Sequence, residues 1–416
     1  MKFSAVFLPL MLAAAPLRGA DQWNQPPIRY AATEARDPAS KLAKDLAEGR
    51  WEFTASDAPG RVREVLAKLG ISESSQVLVF SKTSAQNDLI GPANPRALWF
   101  SENAYAGWVP GGVMEVIGHD PALGPVFHTI DISTKDMAVM ERDTDSCFSC
   151  HAAARTQDVP GVFVRSVFPA ADGKPIGSFG SAEVDDTTPL PQRWGGYFVT
   201  GSSSLPHLGN RTFDPKIPPA ETTTPQLADL TGKIDPAFYP RLTSDVVTLL
   251  VLEHQTRIHN LFTAADHRYR RAAWMARLFD AKADPDKGPA GRGADDDARG
   301  IVDALLFKNA ATLGDGVEGD ENFQKEFFAR FPKTKNGDSL ADFHLGERIF
   351  INRCSYMVYS HVFSGLPQRV KSAIVARLKA VLENDADKKA YSYLGEKERA
   401  RIVGILRDTW PAYTGT

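Results

Sequence analysis

The chain has 416 residues, of which 43% are hydrophobic, and its 48 basic and 51 acidic side chains give a net charge of −3. That length is enough for a substantial core and suggests two or three domains, while the near-neutral charge predicts neither a nucleic-acid partner nor an anionic membrane partner. Its three cysteines exclude a disulfide-stapled scaffold, which needs a larger and usually even number.

The beginning of the chain has the pattern of a secretory signal peptide. Lys2 precedes an apolar run from Phe3 to Ala15, which is long enough for the apolar part of a signal and shorter than the roughly 20 residues of a membrane span. We therefore predict a signal peptide over residues 1–20, a mature chain from about Asp21, and a periplasmic or secreted protein. An uncleaved leader that tethers the protein is the alternative. No later run predicts a membrane span in the mature chain.

A β-rich domain is predicted over residues 21–205. Helical spacing of apolar residues over 39–50 and 61–69 predicts two short helices at its start. Short runs rich in β-branched and aromatic residues follow, separated by turn residues, and they predict an antiparallel sheet that ends just before residue 147. These runs are SQVLVFSK, RALWFSEN, AGWVPGGVMEVIG and GPVFHTIDIS, and two further strands are predicted from GVFVRSVF and WGGYFVTG.

Cys147, Cys150 and His151 form the sequence Cys-x-x-Cys-His on a predicted short helix. A zinc site would need a second pair of Cys or His ligands, and a thioredoxin-like site would need the pair in a βαβ unit near the front of a small domain. The sequence provides neither. Covalent haem attachment requires two thiols for the porphyrin and a following histidine for the iron. A Cys147–Cys150 disulfide with an incidental His151 is the other interpretation.

Through these three residues the chain resembles the c-type cytochromes. The resemblance implies one covalently attached haem c, bound through Cys147 and Cys150, with His151 as the proximal iron ligand. It is confined to the motif, because small cytochromes c carry the motif near the front of a compact helical domain. The phrases RWGGYFVTGSSSLPHLGN and CSYMVYSHVFSGLP are similar, more loosely, to large exported bacterial proteins of cytochrome c type.

Two arginines near the motif are candidate partners for the haem propionates. Arg155 follows His151 by four residues, and Arg165 lies in the predicted strand GVFVRSVF. A guanidinium group can bind a carboxylate through two parallel hydrogen bonds, which favours arginine at such a site. Exposure to solvent is the alternative for both side chains.

An extended linker is predicted over residues 206–235, where Pro, Thr and Asp dominate, and an α-helical domain over 236–416 is expected to pack on the haem side. The whole chain is thus predicted to be α+β. A polar, Gly-rich loop is expected over 283–300. Helical spacing predicts helices over 244–262, 265–279, 298–313, 320–331, 366–383 and 396–408.

The second axial ligand decides what such a haem can do, because two ligands suit electron transfer and one leaves a face open for a small molecule. His254 is our candidate, since it lies on the apolar stripe of its helix, whereas His259 points about 140° away. A buried histidine with ordinary hydrogen-bond partners is the alternative. Glu253 and Arg257 are expected to form an ion pair on the helix surface. Weaker candidates for the ligand are Met137, Met140, His207 and Cys354, whereas His119 and His128 in the predicted β segment could form a hydrogen bond with a propionate.

Three functions are compatible with these features. The first is an exported monohaem c-type cytochrome that transfers single electrons to a redox partner protein. The second is a haem-dependent oxidoreductase or small-ligand sensor, for peroxide or nitrogen oxides, in which His151 is the sole protein ligand; the length of the chain favours this alternative. The third is an exported structural or binding protein with a disulfide at the motif. The sequence predicts no oligomeric state.

Overall fold

The computed structural model describes residues 19–134, 139–220, 224–384 and 386–415. Residues 1–18, which make up most of the predicted signal peptide, lie outside the described residues, as does Met137. The fold is α+β, as the sequence predicts, with an antiparallel sheet in the N-terminal half and helices in the C-terminal half. Within the described ranges, no helix combines the length and the apolar character needed to cross a membrane.

Six antiparallel strands form one sheet in which neighbours in sequence are neighbours in space. Short turns explain this connectivity, because they can join only antiparallel neighbours directly. Gly124 begins the fifth strand with a φ of +75° and packs against Thr263, so this position requires glycine. The strands are β1 (Val77–Val79), β2 (Arg96–Ser101), β3 (Ala104–Trp108), β4 (Met114–Asp120), β5 (Gly124–Ile130) and β6 (Met140–Asp143).

Two shorter strand pairs lie outside this sheet. β7 (Val164–Val167) pairs with β8 (Ser181–Val184) and confirms the strand predicted from GVFVRSVF. β9 (Ser202–Ser203) pairs with β10 (Val317–Glu318), which comes from the C-terminal half. The second pair therefore ties the two halves of the chain together.

The segment WGGYFVTG does not form the regular strand that we predicted from it. Gly196 has a φ of +92°, and Ser81 occupies the space where a side chain would begin, so the chain turns sharply there. Beyond the turn the segment makes only single bridges, such as that between Tyr197 and Val79. The aromatic and β-branched residues of this segment are buried, but the glycines prevent a continuous ladder.

The two faces of the six-stranded sheet are covered by different parts of the chain. On one face, α1 (Pro38–Ala47) and α2 (Ala58–Lys68) pack against strand residues such as Trp99. Both helices begin after an aspartate, Asp37 or Asp57, whose carboxylate accepts hydrogen bonds from the first turn. The opposite face packs against the long helix of the C-terminal half and carries the Cys-x-x-Cys-His motif at its edge.

That long helix, α4 (Val246–Phe279), has 34 residues and replaces two predicted helices, because the two residues between them do not interrupt the helical pattern. α5 (Pro289–Leu305) occupies most of the predicted Gly-rich loop, so the loop prediction is wrong from residue 289 onward. Proline opens this helix at a favourable position, and a stripe of small apolar residues is buried against α4. Packing on that stripe outweighs the cost of the glycines.

The helix predicted over 298–313 ends with α5 at Leu305, whereas three of the remaining α-helices agree closely with the ranges predicted over 320–331, 366–383 and 396–408. The remaining α-helices are α3 (Phe148–His151), α6 (Glu321–Arg330), α7 (His361–Gly365), α8 (Gln368–Leu382), α9 (Glu396–Thr409) and α10 (Pro411–Thr414), of which α7 and α10 are single turns that we did not predict. Residues 206–220 and 224–235 form turns and irregular backbone, as expected for an extended segment.

A large hydrophobic core is shared by the strands and the C-terminal helices. It includes Val79 and Tyr105 from the sheet, Leu250 and Phe262 from α4, and the fully buried Cys354. The predicted boundary near residue 235 separates a part of the chain that contains most of the strands from a mainly helical part, but both parts contribute to one core. As a result, α4 packs against the same face of the six-stranded sheet that carries the motif at its edge.

Candidate haem-attachment site

The motif occupies the turn that leaves the last strand of the sheet. Asp143, at the end of β6, accepts hydrogen bonds from the backbone N–H groups of Asp145 (2.9 Å) and Cys147 (3.2 Å), which fixes the turn. α3 then places Cys150 and His151 within one helical turn of Cys147. Both thiols are free, that of Cys147 half-buried and that of Cys150 exposed. Burial and the negative charge of Asp143 raise the pKa of the Cys147 thiol to about 12, so it stays protonated.

Phe148, the residue that follows the first cysteine, anchors α3 in an aromatic cluster. Its ring stacks on that of Trp23 at 4.1 Å and packs edge-on against Tyr30 at 5.0 Å and Phe127 at 5.4 Å. Such ring pairs contribute about 0.5–1.5 kcal/mol each beyond the area they bury. Because Phe148 points into the protein, the two cysteines remain on the outer side of the turn. We did not predict this role from the sequence, although an aromatic residue between the two cysteines could have indicated that the turn is anchored in the core.

The His151 ring is held in one orientation by two aromatic side chains and one hydrogen bond. Its centroid lies 5.1 Å from that of Phe127 and 5.0 Å from that of Phe163. Its Nδ1–H donates to the carbonyl oxygen of Gly161 at 2.9 Å. This bond fixes the tautomer and leaves the Nε2 lone pair free, which is the usual arrangement of a histidine that binds a metal ion through Nε2.

Asn260 on α4 holds the segment that supplies this carbonyl. Its side chain accepts a hydrogen bond from the N–H of Val162 (2.9 Å) and donates one to the carbonyl of Val162 (2.7 Å). A side chain at Gly161 would begin 2.6 Å from the Asn260 amide oxygen, so only glycine allows this approach. Asn260 therefore positions His151 from about a hundred residues away, a link that no local sequence pattern reveals.

Burial and nearby charges determine the protonation of His151. Burial lowers the pKa of His151, and the positive charges of Arg96 and Arg155 lower it further, whereas the Nδ1 hydrogen bond and the negative charge of Glu115 act in the opposite direction. The net effect is a pKa below the ordinary value. The imidazole is therefore neutral at pH 7, which is the form that binds a metal ion.

Beside the motif, the sheet face is covered less completely than the face that packs on α1 and α2. Arg96 is paired with Glu115 across this face, and its Nε is buried without a hydrogen-bond partner among the described groups. Gly107 is on β3, which lies between the strands that carry Arg96 and Glu115. Because glycine has no side chain, it leaves room for the Arg96 guanidinium. A haem fits these features, because it has a flat apolar ring and propionates that accept hydrogen bonds. The half-buried side chains on this face are Arg96, Leu98, Glu115, Ile117 and Thr129.

Of the two predicted propionate partners, the structure brings Arg155 close to the motif. The positive charge of Arg155 acts on His151, and its guanidinium lies 3.7 Å from the carboxylate of Glu183. Arg165, on β7, donates instead to the hydroxyl of Ser181 at 3.0 Å. Arg155 and the unpredicted Arg96 are thus the better-placed candidates, and the role of Arg165 stays a prediction.

His254 is fully buried, and both of its ring nitrogens have hydrogen-bond partners. Nδ1 lies 3.1 Å from the carboxylate of Asp186, Nε2 lies 2.7 Å from the hydroxyl of Ser355, and the ring stacks on Phe307 at 4.2 Å. An iron ligand needs a free nitrogen, so these contacts do not support our prediction that His254 binds iron. Asp186, His254 and Ser355 are connected as in a catalytic triad, but Ser355 is fully buried and caps the N–H of Met357, which makes the arrangement structural.

The predicted surface ion pair between Glu253 and Arg257 is wrong. Glu253 is fully buried, and it accepts hydrogen bonds from the guanidinium of Arg193 and the indole of Trp194, both at 2.6 Å. Burial raises the pKa of Glu253 to about 7 despite the opposing charge of Arg193. Arg257 binds Asp186 at 2.8 Å. Helical spacing alone could not indicate these partners, because they lie about 60 to 70 residues away in sequence.

His119, a predicted propionate partner, and His259, which we did not propose as a ligand, form a stacked pair in the core with centroids 3.7 Å apart. Nδ1 of His259 accepts a hydrogen bond from the hydroxyl of Tyr105 (2.7 Å), and Nε2 donates to the carbonyl of Glu102 (3.1 Å). His119 has no hydrogen-bond partner at either nitrogen among the described residues. The remaining described candidates, His128, Met140 and His207, are also buried.

Across the described part of the chain, no group of three or more His, Cys, Asp or Glu side chains is placed to hold a metal ion. The candidate site is therefore the motif itself, with the side chains that surround it. Comparison with known proteins adds no assignment: no family model, no curated protein and no solved structure matches this chain.

Proposed function

We propose that this protein is an exported c-type cytochrome that binds one haem covalently and transfers single electrons. The observation that carries the proposal is the orientation of His151. Its Nδ1 is committed to the carbonyl of Gly161, its Nε2 is free, and two free thiols lie within the same helical turn. A structural histidine has no need of this combination, whereas covalent attachment of haem requires it.

Each group at the motif has a distinct role in this proposal. The Cys147 and Cys150 thiols form the two thioether bonds, and Nε2 of His151 binds the iron. Arg96 and Arg155 supply N–H donors and positive charge for the propionates. When bound, haem supplies an iron that changes oxidation state by one electron. The protein contributes a neutral imidazole and holds it in place between two aromatic rings.

A second candidate function is favoured by the contacts of His254. Both of its nitrogens are occupied, so the most plausible second ligand from the sequence is engaged elsewhere. An iron with His151 as its sole protein ligand would bind a small molecule on its other face, and the protein would then be a haem enzyme or a sensor. The two candidates share the same attachment site and differ only at that face.

The first experiment tests attachment. The chain is expressed with a c-haem maturation apparatus, and the denatured protein is stained for haem, because thioether bonds survive denaturation. The matched control is the double variant Cys147→Ser with Cys150→Ser, which keeps the size of both side chains. We expect haem stain in the parent protein and none in the variant. An unstained parent protein, or equal staining of both, would rule out covalent attachment at this motif.

The second experiment separates the two candidate functions. Optical spectra of the reduced haem protein are recorded with and without carbon monoxide. A spectrum that carbon monoxide leaves unchanged indicates two strong axial ligands and supports electron transfer. A rapid change on addition of carbon monoxide indicates an open face and supports the enzyme or sensor.

A further inference from the structure

The C-terminal end of α4 exposes four large apolar side chains in six residues. Trp274 is 37% exposed, Met275 41%, Leu278 62% and Phe279 83%, whereas Ala273 points inward and is buried. Trp274 and Leu278 are four residues apart, as are Met275 and Phe279, so each pair lies on one side of the helix. Met275 and Leu278, three residues apart, connect the two pairs into a single patch. We call these four residues the α4 tip. Exposed apolar patches of this kind mark a contact with another molecule or with a membrane.

Basic side chains border the α4 tip. Arg271 and Arg277 belong to the same helical turns, and Lys282 follows just beyond the helix end. Asp280, the helix cap, is the nearby acidic residue, and one of its carboxylate oxygens accepts the N–H of Lys282. The combination of Trp, Phe and Leu with Arg at one helix end is typical of helices that lie at a membrane surface. The net charge of the whole chain predicts no anionic membrane partner, so an attraction to such a membrane would be local to this helix end.

The α4 tip also lies where the described chain begins. Arg271 donates a hydrogen bond to the side chain of Gln22. In the sequence, the apolar run from Phe3 to Ala15 lies only a few residues before Gln22. The predicted mature start near Asp21 therefore lies beside the α4 tip.

We propose that the α4 tip is a membrane-contact surface that inserts Trp274, Leu278 and Phe279 between phospholipid headgroups. Arg271 and Arg277 would then meet the phosphates of anionic lipids. A second copy of the chain is the less suitable occupant, because two helical turns with four apolar side chains fall short of the roughly 800 Å² per partner that stable interfaces bury. The membrane matches the composition of the patch, in which exposed apolar side chains are bordered by basic ones.

This surface would hold the motif close to the membrane. Trp23, which follows Gln22, stacks on Phe148 inside the motif. A haem at the motif would therefore lie near lipid-embedded electron donors or acceptors. The membrane contact itself does not depend on the haem, since none of the residues of the α4 tip belongs to the motif.

The test uses the exported, haem-loaded chain from Asp21 onward and vesicles of phosphatidylethanolamine with phosphatidylglycerol. Cosedimentation measures the bound fraction. We expect Leu278→Ser with Phe279→Ser to weaken binding at least about tenfold, because two large apolar side chains no longer enter the lipid. Arg271→Gln with Arg277→Gln should weaken binding about fivefold or more, and only to vesicles that contain phosphatidylglycerol. Ile217→Ser is the matched control, since Ile217 is 63% exposed elsewhere on the surface and should be neutral.

Three results would overturn the proposal. The first is a parent protein that does not cosediment with the vesicles. The second is an Ile217 variant that loses binding as strongly as the α4 tip variant. The third is a dimer, seen by sedimentation velocity, that is absent only in the α4 tip variant while the parent protein binds no vesicles. Thermal unfolding of each variant confirms that it is folded. The same assay on Cys147→Ser with Cys150→Ser separates this proposal from the proposed function, because membrane binding should persist in a variant that carries no haem.

Discussion

The surroundings of His151 and those of His254 hold a histidine by opposite means. His151 lies between aromatic rings and uses one nitrogen, whose partner is a backbone carbonyl. His254 uses both nitrogens, and its partners Asp186 and Ser355 belong to distant segments of the chain. The first arrangement leaves a coordination position available. The second connects three segments within the core.

This difference shows that burial alone does not distinguish a metal ligand from a structural histidine. Buried polar groups normally find hydrogen-bond partners, so an apolar helix face with a histidine predicts only that a partner exists. The number of ring nitrogens that already form hydrogen bonds within the protein distinguishes the two kinds of histidine better than burial does. On this criterion, the proposed function gives His151 the role of a metal ligand and His254 a structural role.

Exchanging each histidine for alanine should separate these roles. His254→Ala removes a buried ring and takes one hydrogen-bond partner each from Asp186, which keeps Arg257, and Ser355, which keeps the N–H of Met357. We expect it to lower the free energy of unfolding by about 3–5 kcal/mol without changing the haem spectrum. His151→Ala should abolish the normal haem spectrum and lower the free energy of unfolding of the haem-free protein by about 1–2 kcal/mol, because its ring is only half-buried. Denaturant unfolding and optical spectra measure the two effects.

His344→Ala is the control for this pair, because His344 lies at the surface in a short turn. It should leave both measurements unchanged. A low-spin spectrum that disappears in His254→Ala would contradict the comparison and restore His254 as an axial ligand.

The aromatic cluster offers a second way to test how the motif region is held. Phe148→Ala removes a buried ring that contacts Trp23, Tyr30 and Phe127, and we expect a loss of about 3 kcal/mol in the free energy of unfolding. The yield of covalently attached haem should also fall, because α3 is no longer anchored. Phe148→Leu is the control and should lose about 1 kcal/mol with most of the haem retained. If haem yield is unaffected in Phe148→Ala, the cluster does not position the motif.

Acid should affect the two regions differently. Burial opposes ionisation of Asp186, but its contacts with His254 and Arg257 outweigh burial and lower the pKa of Asp186 to about 2. A carboxylate with a lowered pKa stabilises the fold above its ordinary pKa near 4, and this stabilisation, about 2 kcal/mol, is lost as the pH falls towards 2. The stability difference between the parent and Asp186→Asn should therefore shrink by that amount between pH 5 and pH 2.

The aromatic cluster provides the control for the acid experiment. Phe148→Ala should lose the same free energy of unfolding at both pH values, since none of the rings in its contacts is ionised in this range. A stability difference for Asp186→Asn that stays constant with pH would show that the charge of Asp186 does not stabilise the region around His254.

Local sequence patterns were sufficient for most of the sheet and for the motif. Runs of β-branched and aromatic residues separated by turn residues predict β1 to β5 but not β6, and the Cys-x-x-Cys-His spacing identifies Cys147, Cys150 and His151 as the candidate site. These features depend on neighbours within a few residues. The same reasoning failed for α5, where glycines in the sequence indicated a loop but packing against α4 stabilises a helix.

Contacts between distant segments could not be predicted in this way. Asn260 fixes the carbonyl that orients His151, and Arg96 reaches the motif from a strand about fifty residues earlier. Glu253 and His254 find their partners about 60 to 100 residues away. Each of these residues has an ordinary local context, so only the fold reveals its role.

The smallest expected effect concerns the charges of Arg96 and Glu115 beside the motif. This prediction depends on the haem that we propose. Arg96 lies near enough to His151 for its charge to affect the imidazole, and a positive charge at that position disfavours the ferric state of a bound haem. Arg96→Gln should therefore lower the reduction potential, by about 1 kcal/mol or roughly 40 mV for one electron. Glu115→Gln removes the opposite charge and should raise the potential by a similar amount.

Potentiometric titration of the haem measures both shifts. A matched change made around His254 should cause neither of them. Arg257→Gln removes a positive charge that is bound to Asp186 in that region, so it should lower stability. It should leave the potential within about 10 mV, because the positive charges that act on His151 are those of Arg96 and Arg155. Shifts of the same sign for Arg96→Gln and Glu115→Gln would show that these variants alter the potential through structure and not through charge. Opposite signs would place the Arg96–Glu115 pair beside the haem and give the motif region an electrostatic function that the surroundings of His254 lack.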